Sequence, residues 1–174
     1  MRTALLVIAL LPFGLMAAGA ENSAIVFSFC VEDYPSSRII ESLREGHRSE
    51  VHYEFRILRR AKGLARLFGD KLIKKEETTY VARWDALDEN YVVLVDESVE
   101  RVFADAGSFL RFFLSVDSHR VSLPETLSDD DYLLCRWSIQ PVKLVPPLTL
   151  MTLIKSDLQT ISSWQRTPIE RVVN

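Results

Sequence analysis

Between Arg48 and Trp84 the apolar residues recur at every second position, in two long runs with a short interruption between them. In the first run Val51, Tyr53, Phe55 and Ile57 fall on one side, with His52, Glu54 and Arg56 opposite. In the second, which spans Lys71 to Trp84, Thr78, Tyr80, Ala82 and Trp84 share a side. A period of two is a strand period, because successive side chains of a strand point to opposite faces. Two such runs in succession predict a long antiparallel hairpin with one face on a core. Gly63 and Gly69-Asp70 punctuate the interruption. Asp88-Glu89-Asn90 makes the next turn, and Tyr91-Val92-Val93-Leu94-Val95 returns as a strand, so the segment reads as two consecutive hairpins.

The flanking segments extend this pattern. Ser23 to Glu32 reads as a strand that Pro35 stops. Ser36 or Ser37 then caps a helix near 36–46, with Ile39, Ile40 and Leu43 on one face and Gly46 as its C′ residue. Val99, Val102, Phe103, Ala106, Phe109, Leu110 and Phe113 recur at 3.6-residue spacing and predict a second helix near 99–113, capped by Ser98. A polar loop from Ser115 leads to a strand over Asp131 to Val142. Val145-Pro146-Pro147 kinks the path, a further extended run follows over 148–154, and Trp164 and Ile169 predict a packed tail. The predicted class is α+β: a mainly antiparallel sheet, built from two hairpins and C-terminal strands, with two helices near 36–46 and 99–113.

The first twenty residues address a different question. Arg2 precedes an apolar run from Ala4 to Met16, and Ala18-Gly19-Ala20 forms a small-x-small cleavage motif before Glu21. That is the pattern of a secretory signal peptide, too short to read first as a membrane span, with a retained anchor as the alternative. The division is therefore 1–20 as leader and 21–174 as one β-rich domain, expected in the periplasm or cell envelope. The net charge of the 174-residue chain is −3. Losing Arg2 with the leader makes it −4, a balance that does not point to nucleic acid.

Residues that could carry chemistry are sparse. Cys30 alternates with Val26 and Ser28, whereas Cys135 shares the apolar side with Leu133, Trp137 and Ile139. The two are read as small buried hydrophobes rather than a bridge. His47, His52 and His119 lack the spacing of a helical zinc site, and no glycine-rich phosphate loop or nucleophile elbow occurs. Asp129-Asp130-Asp131 lacks the glycine and closing glutamate of a calcium loop and reads as a solvated turn. No catalytic residue, metal ligand or cofactor is predicted.

One stretch stands out. Arg56, Arg59, Arg60, Lys62, Arg66, Lys71, Lys74 and Lys75 crowd the predicted hairpin tip against the single acid Asp70, and Leu64, Leu67 and Phe68 lie among them. A basic loop with an apolar tip can contact an anionic membrane surface. The other reading is a tip folded back on its sheet, with the cations forming a solvated, aggregation-resistant edge. The candidate contact residues are Arg59, Arg60, Lys62, Leu64, Arg66, Leu67, Phe68 and Lys71. Their expected partner is an anionic membrane surface or an unknown envelope protein.

Several segments resemble a known family. These are Glu45-Gly46-His47-Arg48-Ser49-Glu50-Val51-His52-Tyr53-Glu54, Arg83-Trp84-Asp85-Ala86-Leu87-Asp88-Glu89-Asn90-Tyr91, Leu144-Val145-Pro146-Pro147-Leu148 and Ser162-Ser163-Trp164. In order and spacing they resemble the bacterial domain-of-unknown-function family 4390. The chain departs from that pattern at Gly46-His47-Arg48-Ser49, where members carry Gly-Ile-Pro-Leu. It also has Leu64, Leu67 and Phe68 where members tend to carry tryptophans. The resemblance implies an exported bacterial protein without established activity, and implies no site residue. The function expected is a non-enzymatic binding or interaction module of the envelope. The alternatives are a small-ligand or lipid carrier with a pocket between sheet and helix, and an enzyme with an unrecognised site.

The leader generates the first prediction. N-terminal sequencing of the envelope-associated protein is expected to read from Glu21, and a cytosolic protein that begins at Met1 would contradict export.

Overall fold

A computed structural model describes residues 24–32, 34–143 and 159–172. The leader, the Val145-Pro146-Pro147 kink and the run over 148–154 lie outside the described residues. The elements are β1 (Ala24–Cys30), α1 (Ser36–Arg44), β2 (Arg48–Arg59), a 3-10 helix (Gly63–Phe68), β3 (Lys71–Asp85), β4 (Asn90–Val95) and β5 (Val99–Phe103). Then come α2 (Ala106–Phe113), β6 (Ser115–Ser122), β7 (Asp131–Lys143), β8 (Thr160–Ile161), β9 (Gln165–Thr167) and β10 (Glu170–Val172). The large sheet has the order β5-β4-β3-β2-β7-β8, with β9 also paired to β7, and the small sheet has the order β10-β1-β6. Every pairing is antiparallel, as the alternating runs predicted.

The inner face of the large sheet is covered by the small sheet and both helices. Val51, Tyr53, Phe55 and Ile57 of β2 are buried there, with Leu133, Cys135, Trp137 and Ile139 from β7 beside them. Phe27 of β1 meets Phe55 edge-on at 4.8 Å between centroids, and Phe29 stands over Tyr53 and Phe55. Tyr53 Oη donates to the Phe113 carbonyl at 2.9 Å, which satisfies a carbonyl at the end of α2 and ties that helix to the central strand. Ser42 and Ser49 both donate to the Pro141 carbonyl at 2.6 Å and fix α1 over β2 and β7. Gly46, at φ +86°, takes the left-handed conformation that ends α1, as expected of a C′ glycine. The cap at the other end differs from the expectation. Ser36 is already helical, and Pro35 precedes the helix without a side-chain cap.

The 99–113 helix is a correction. Asp96 and Glu97 both take positive φ and make a tight turn, after which Val99–Phe103 pairs with β4 as the strand β5. The β-branched and aromatic residues there suit a strand, and their spacing matched a helix only by coincidence. Val99 and Val102, expected inside, are exposed, and Phe103 is half-buried. The helix starts at Ala106, where the Asp105 carboxylate accepts from the Ser108 N–H at 2.8 Å, so the cap is Asp105 rather than Ser98.

Two further expectations are corrected. The polar loop is in part the strand β6, whose pairing with β1 contains a bulge. Val116 and Val121 are both buried although they are five residues apart. The bulge and the positive φ of Ser118 shift the face midway, which erased the alternation from the sequence. Cys30 is exposed, not buried, while Cys135 lies in the core, and both are free thiols.

The aromatic packing beneath α2 gives the second prediction. Phe109 is fully buried, stacked on Tyr91 at 4.7 Å and on Phe113 at 5.2 Å. Phe109→Ala is expected to lower unfolding stability in urea by about 3–5 kcal/mol, and half-buried Phe103→Ala by less.

Candidate interaction site at the hairpin tip

β2 and β3 continue past the core and carry the 3-10 helix at their end. β3 bulges at Ile73, where the register shifts between Ile57 and Leu58. Such a bulge adds twist to the ribbon just below its tip. Side chains three apart eclipse on a 3-10 helix, so Leu64 and Leu67 stand one above the other. Neither packs back on the sheet. Leu64 is 84% exposed, Leu67 82% and Phe68 91%, and Leu72 adds a half-exposed fourth residue at the base.

The tip is nonetheless braced. Asp70 accepts from the Ala61 N–H at 2.9 Å and from Tyr132 Oη at 2.5 Å. These bonds, with Arg60 and Arg66 nearby, hold the Asp70 carboxyl below its usual range, and the Tyr132 hydroxyl is raised by the same contact. Arg66 donates to the Ala61 carbonyl at 3.4 Å, and the Arg60 N–H donates to the Asp130 carbonyl at 3.0 Å. Gly69, at φ +83°, closes the turn.

The structure also shows where the cations go. Arg59 makes a two-pronged contact with Asp131, at 2.7 and 2.9 Å, and reaches Glu125 at 3.1 Å. Lys71 meets the same Glu125 at 2.9 Å, and Lys62 pairs with Asp130. The Asp129-Asp130-Asp131 turn is therefore not simply solvated, since the Asp131 carboxylate is wholly buried in the Arg59 fork. Lower on the hairpin, Lys74 pairs with Glu76 at 3.1 Å, and Lys75 with Glu77 and Glu54. The basic stretch that stood against one acid in the sequence is largely neutralised by carboxylates from the 123–130 loop, β7 and β3. Of the predicted contact residues, Leu64, Leu67 and Phe68 project into solvent together with Arg66. Arg59, Lys62 and Lys71 form the ion-paired base, and Arg60 flanks Asp70. Sequence reading named Asp70 as the one acid of the stretch without its bracing role, and missed Tyr132, Glu125, Asp130 and Asp131 as parts of this tip. The Gly69-Asp70 turn signal pointed to Asp70 alone.

A second polar constellation lies on the outer face of the sheet. Glu54, buried between β3 and β7, accepts from Arg56 at 2.6 and 2.9 Å and from Arg136 at 2.5 Å. Both guanidiniums lie over the Trp164 ring, at 4.5 and 4.6 Å. This attachment and the paired bonds between Trp137 and Ser162 fasten the C-terminal segment to the sheet. A cleft of about 360 Å³ opens beside it, lined by His52, Glu54, Lys75, Arg136, Ser138 and Ile161. Burial alone would raise the Glu54 carboxyl, but hydrogen bonds from Arg56, Arg136 and Lys75 outweigh it and hold the pKa at about 2. A carboxylate so acidic is a poor proton acceptor at neutral pH, so its chemistry is structural. The thiols point the same way. Desolvation, with Glu32 and Asp117 nearby, raises the Cys30 pKa, and burial pushes Cys135 up to about 11, so neither is an activated nucleophile.

No family model, curated protein or solved structure matches the chain. Among the described residues no helix is long and apolar enough to cross a membrane, and no group of three or more His, Cys, Asp or Glu side chains could hold a metal ion.

The outer-face network gives the third prediction. A folded-state pKa depressed from 4.5 to about 2 contributes stability that is fully present above about pH 4.5 and lost as pH falls toward 2. Thermal melts from pH 6 to 2 are expected to show this loss in the parent. The loss should be smaller in Glu54→Gln, which at pH 6 should itself lie about 1.5–3 kcal/mol below the parent.

Proposed function

We propose that the chain is an exported, non-enzymatic interaction module that docks on a surface of the cell envelope through its hairpin tip. The observation that carries this reading is the braced apolar tip. Large apolar side chains gathered at one exposed point mark an interaction site more often than a folding requirement. Here Leu64, Leu67 and Phe68 are held in water by hydrogen bonds and ion pairs at their base, so little ordering remains to be done on binding. Full burial of such side chains against a partner is worth about 1.5–3 kcal/mol each before the costs of association. The leader motif supports the envelope as the place where this happens. The resemblance to the unknown-function family is compatible with it and adds no activity.

The carrier reading finds less support. Tyr91, Phe103, Phe109, Phe112 and Phe113 fill the space between the large sheet and α2 with packed rings. The hollow of about 430 Å³ between β1 and α2, lined by Val31, Leu110 and Leu114 with Arg111 and Asp117, is an open groove rather than an enclosed cavity. The enzyme reading rests on no activated nucleophile or poised carboxylate among the groups described above.

Leu67→Glu with Phe68→Glu tests the proposal. Because both positions are exposed, the double variant is expected to melt within about 0.5 kcal/mol per site of the parent. Envelope fragments should co-sediment the parent and leave the variant in solution. A variant that binds as the parent does would remove the tip from the function.

A further inference from the structure

β1 runs antiparallel to the stacked strand β2, so its first residue points to the end of β2 from which the tip rises. The ring contacts trace this. Phe29 stands over Tyr53, and Phe27 lies against Phe55. The next inward pair along the two strands is Ile25 and Ile57, both fully buried. A second path agrees. Ala24 pairs with Ser122, and three residues further on Glu125 bonds to Lys71 and Arg59 at the base of the tip. The chain therefore enters the fold at the pole that carries Leu64, Leu67 and Phe68, whereas the turn bearing exposed Leu87 lies at the far end of β3.

Resting on the reading of the tip as a docking element, we infer that its occupant is the lipid bilayer itself, entered at the neutral interface with the N-terminal pole facing the membrane. Three observations select lipid over a protein groove. The first is where the chain comes from. Seven residues lie between Met16, the end of the apolar leader run, and Ala24, and the eight steps from one to the other, if extended, reach about 28 Å. The tip stands six residues beyond Ile57, about 20 Å along a strand. A precursor whose leader is in the bilayer thus brings the tip to that same bilayer without strain. The second is shape: the apolar residues crown a convex projection, which suits insertion among headgroups and acyl chains. The third is charge. Arg59, Lys62 and Lys71 already face Glu125, Asp130 and Asp131, and Arg60 and Arg66 lie near the one carboxylate of Asp70, so the five cations of the pole meet four carboxylates and leave little net positive charge. Anionic lipid is then not required, and the attachment should resist salt.

Protein-free phosphatidylcholine vesicles and the exported chain provide the test, with Phe68→Trp and Leu87→Trp as depth probes. The Phe68→Trp protein should gain a blue-shifted emission on adding vesicles and be quenched by brominated phosphatidylcholine, relative to the parent. The Leu87→Trp protein should show neither change. Co-sedimentation should fall at least about fivefold in the Leu67→Glu, Phe68→Glu variant. It should change less than about twofold between low salt and about 0.5 M salt. Tip-dependent binding to envelope fragments without any binding to phosphatidylcholine would overturn the inference in favour of a protein partner and leave the docking reading intact. Binding confined to anionic vesicles and lost in salt would overturn it in favour of a cationic contact. Equal quenching at positions 68 and 87 would overturn the orientation. Loss of tip dependence on envelope fragments as well would overturn both readings.

Discussion

Strand β2 is paired along nearly its whole length on both sides, with β3 and with β7. Its inner residues support the aromatic layer that joins the two sheets, and Tyr53 alone contacts Phe29, Phe55 and Tyr80 and holds the end of α2. Its outer residues support the C-terminal segment through Glu54 and the guanidiniums that clasp Trp164. Its last residue, Arg59, anchors the base of the tip through Asp131. A shift of one residue in the register of β2 would exchange these roles, placing Glu54 in the core and Tyr53 in water. Both sets of contacts therefore enforce the same register, and the tip inherits its position from it.

The charges on this strand and its neighbours act mainly within the molecule. Glu54 is surrounded by Arg56, Lys75 and Arg136, and the carboxylates near the tip are matched by the cations there. Most of these pairs are at least partly exposed, where a single ion pair contributes little stability. Their effect is geometric. They orient long side chains along the base of the hairpin, and Leu64, Leu67 and Phe68 stand out at its end beside Arg66.

The parts of the fold that were legible in sequence are those where each strand face meets one environment. β2 and β3 run straight between core and solvent over these stretches, so Val51 to Ile57 and Thr78 to Trp84 keep their period. β5 and β6 were not legible, for different reasons. β5 is an edge strand whose valines are exposed, so their spacing followed no face at all and could be taken for a helix. β6 changes face at its bulge, so Val116 and Val121 break the alternation that would have revealed it. At the tip, Leu64, Leu67 and Phe68 were legible as a cluster because they are neighbours in the chain. Their electrostatic setting was not, because Glu125 and Asp131 meet Arg59 from 66 and 72 residues away. A local count of charges saw the cations and missed the carboxylates that face them.

The cost of this arrangement bears on what the tip is for. Three large apolar side chains in water give up burial that a folded-back loop would recover, and each is an aggregation liability at the end of a two-stranded ribbon. Asp70 braces the exposed arrangement: it draws the Ala61 N–H and the Tyr132 hydroxyl to one carboxylate, and Gly69 supplies the positive φ that closes the turn. The same contacts join the tip to β7, so the projection is continuous with the sheet rather than a loose loop. A chain that only needed to close a hairpin could do so in two to five residues. Here the connection is longer and carries its own helical turn. It is also held upright at the pole where β1 begins, an arrangement that hairpin closure does not require and that the proposed contact with a surface would use.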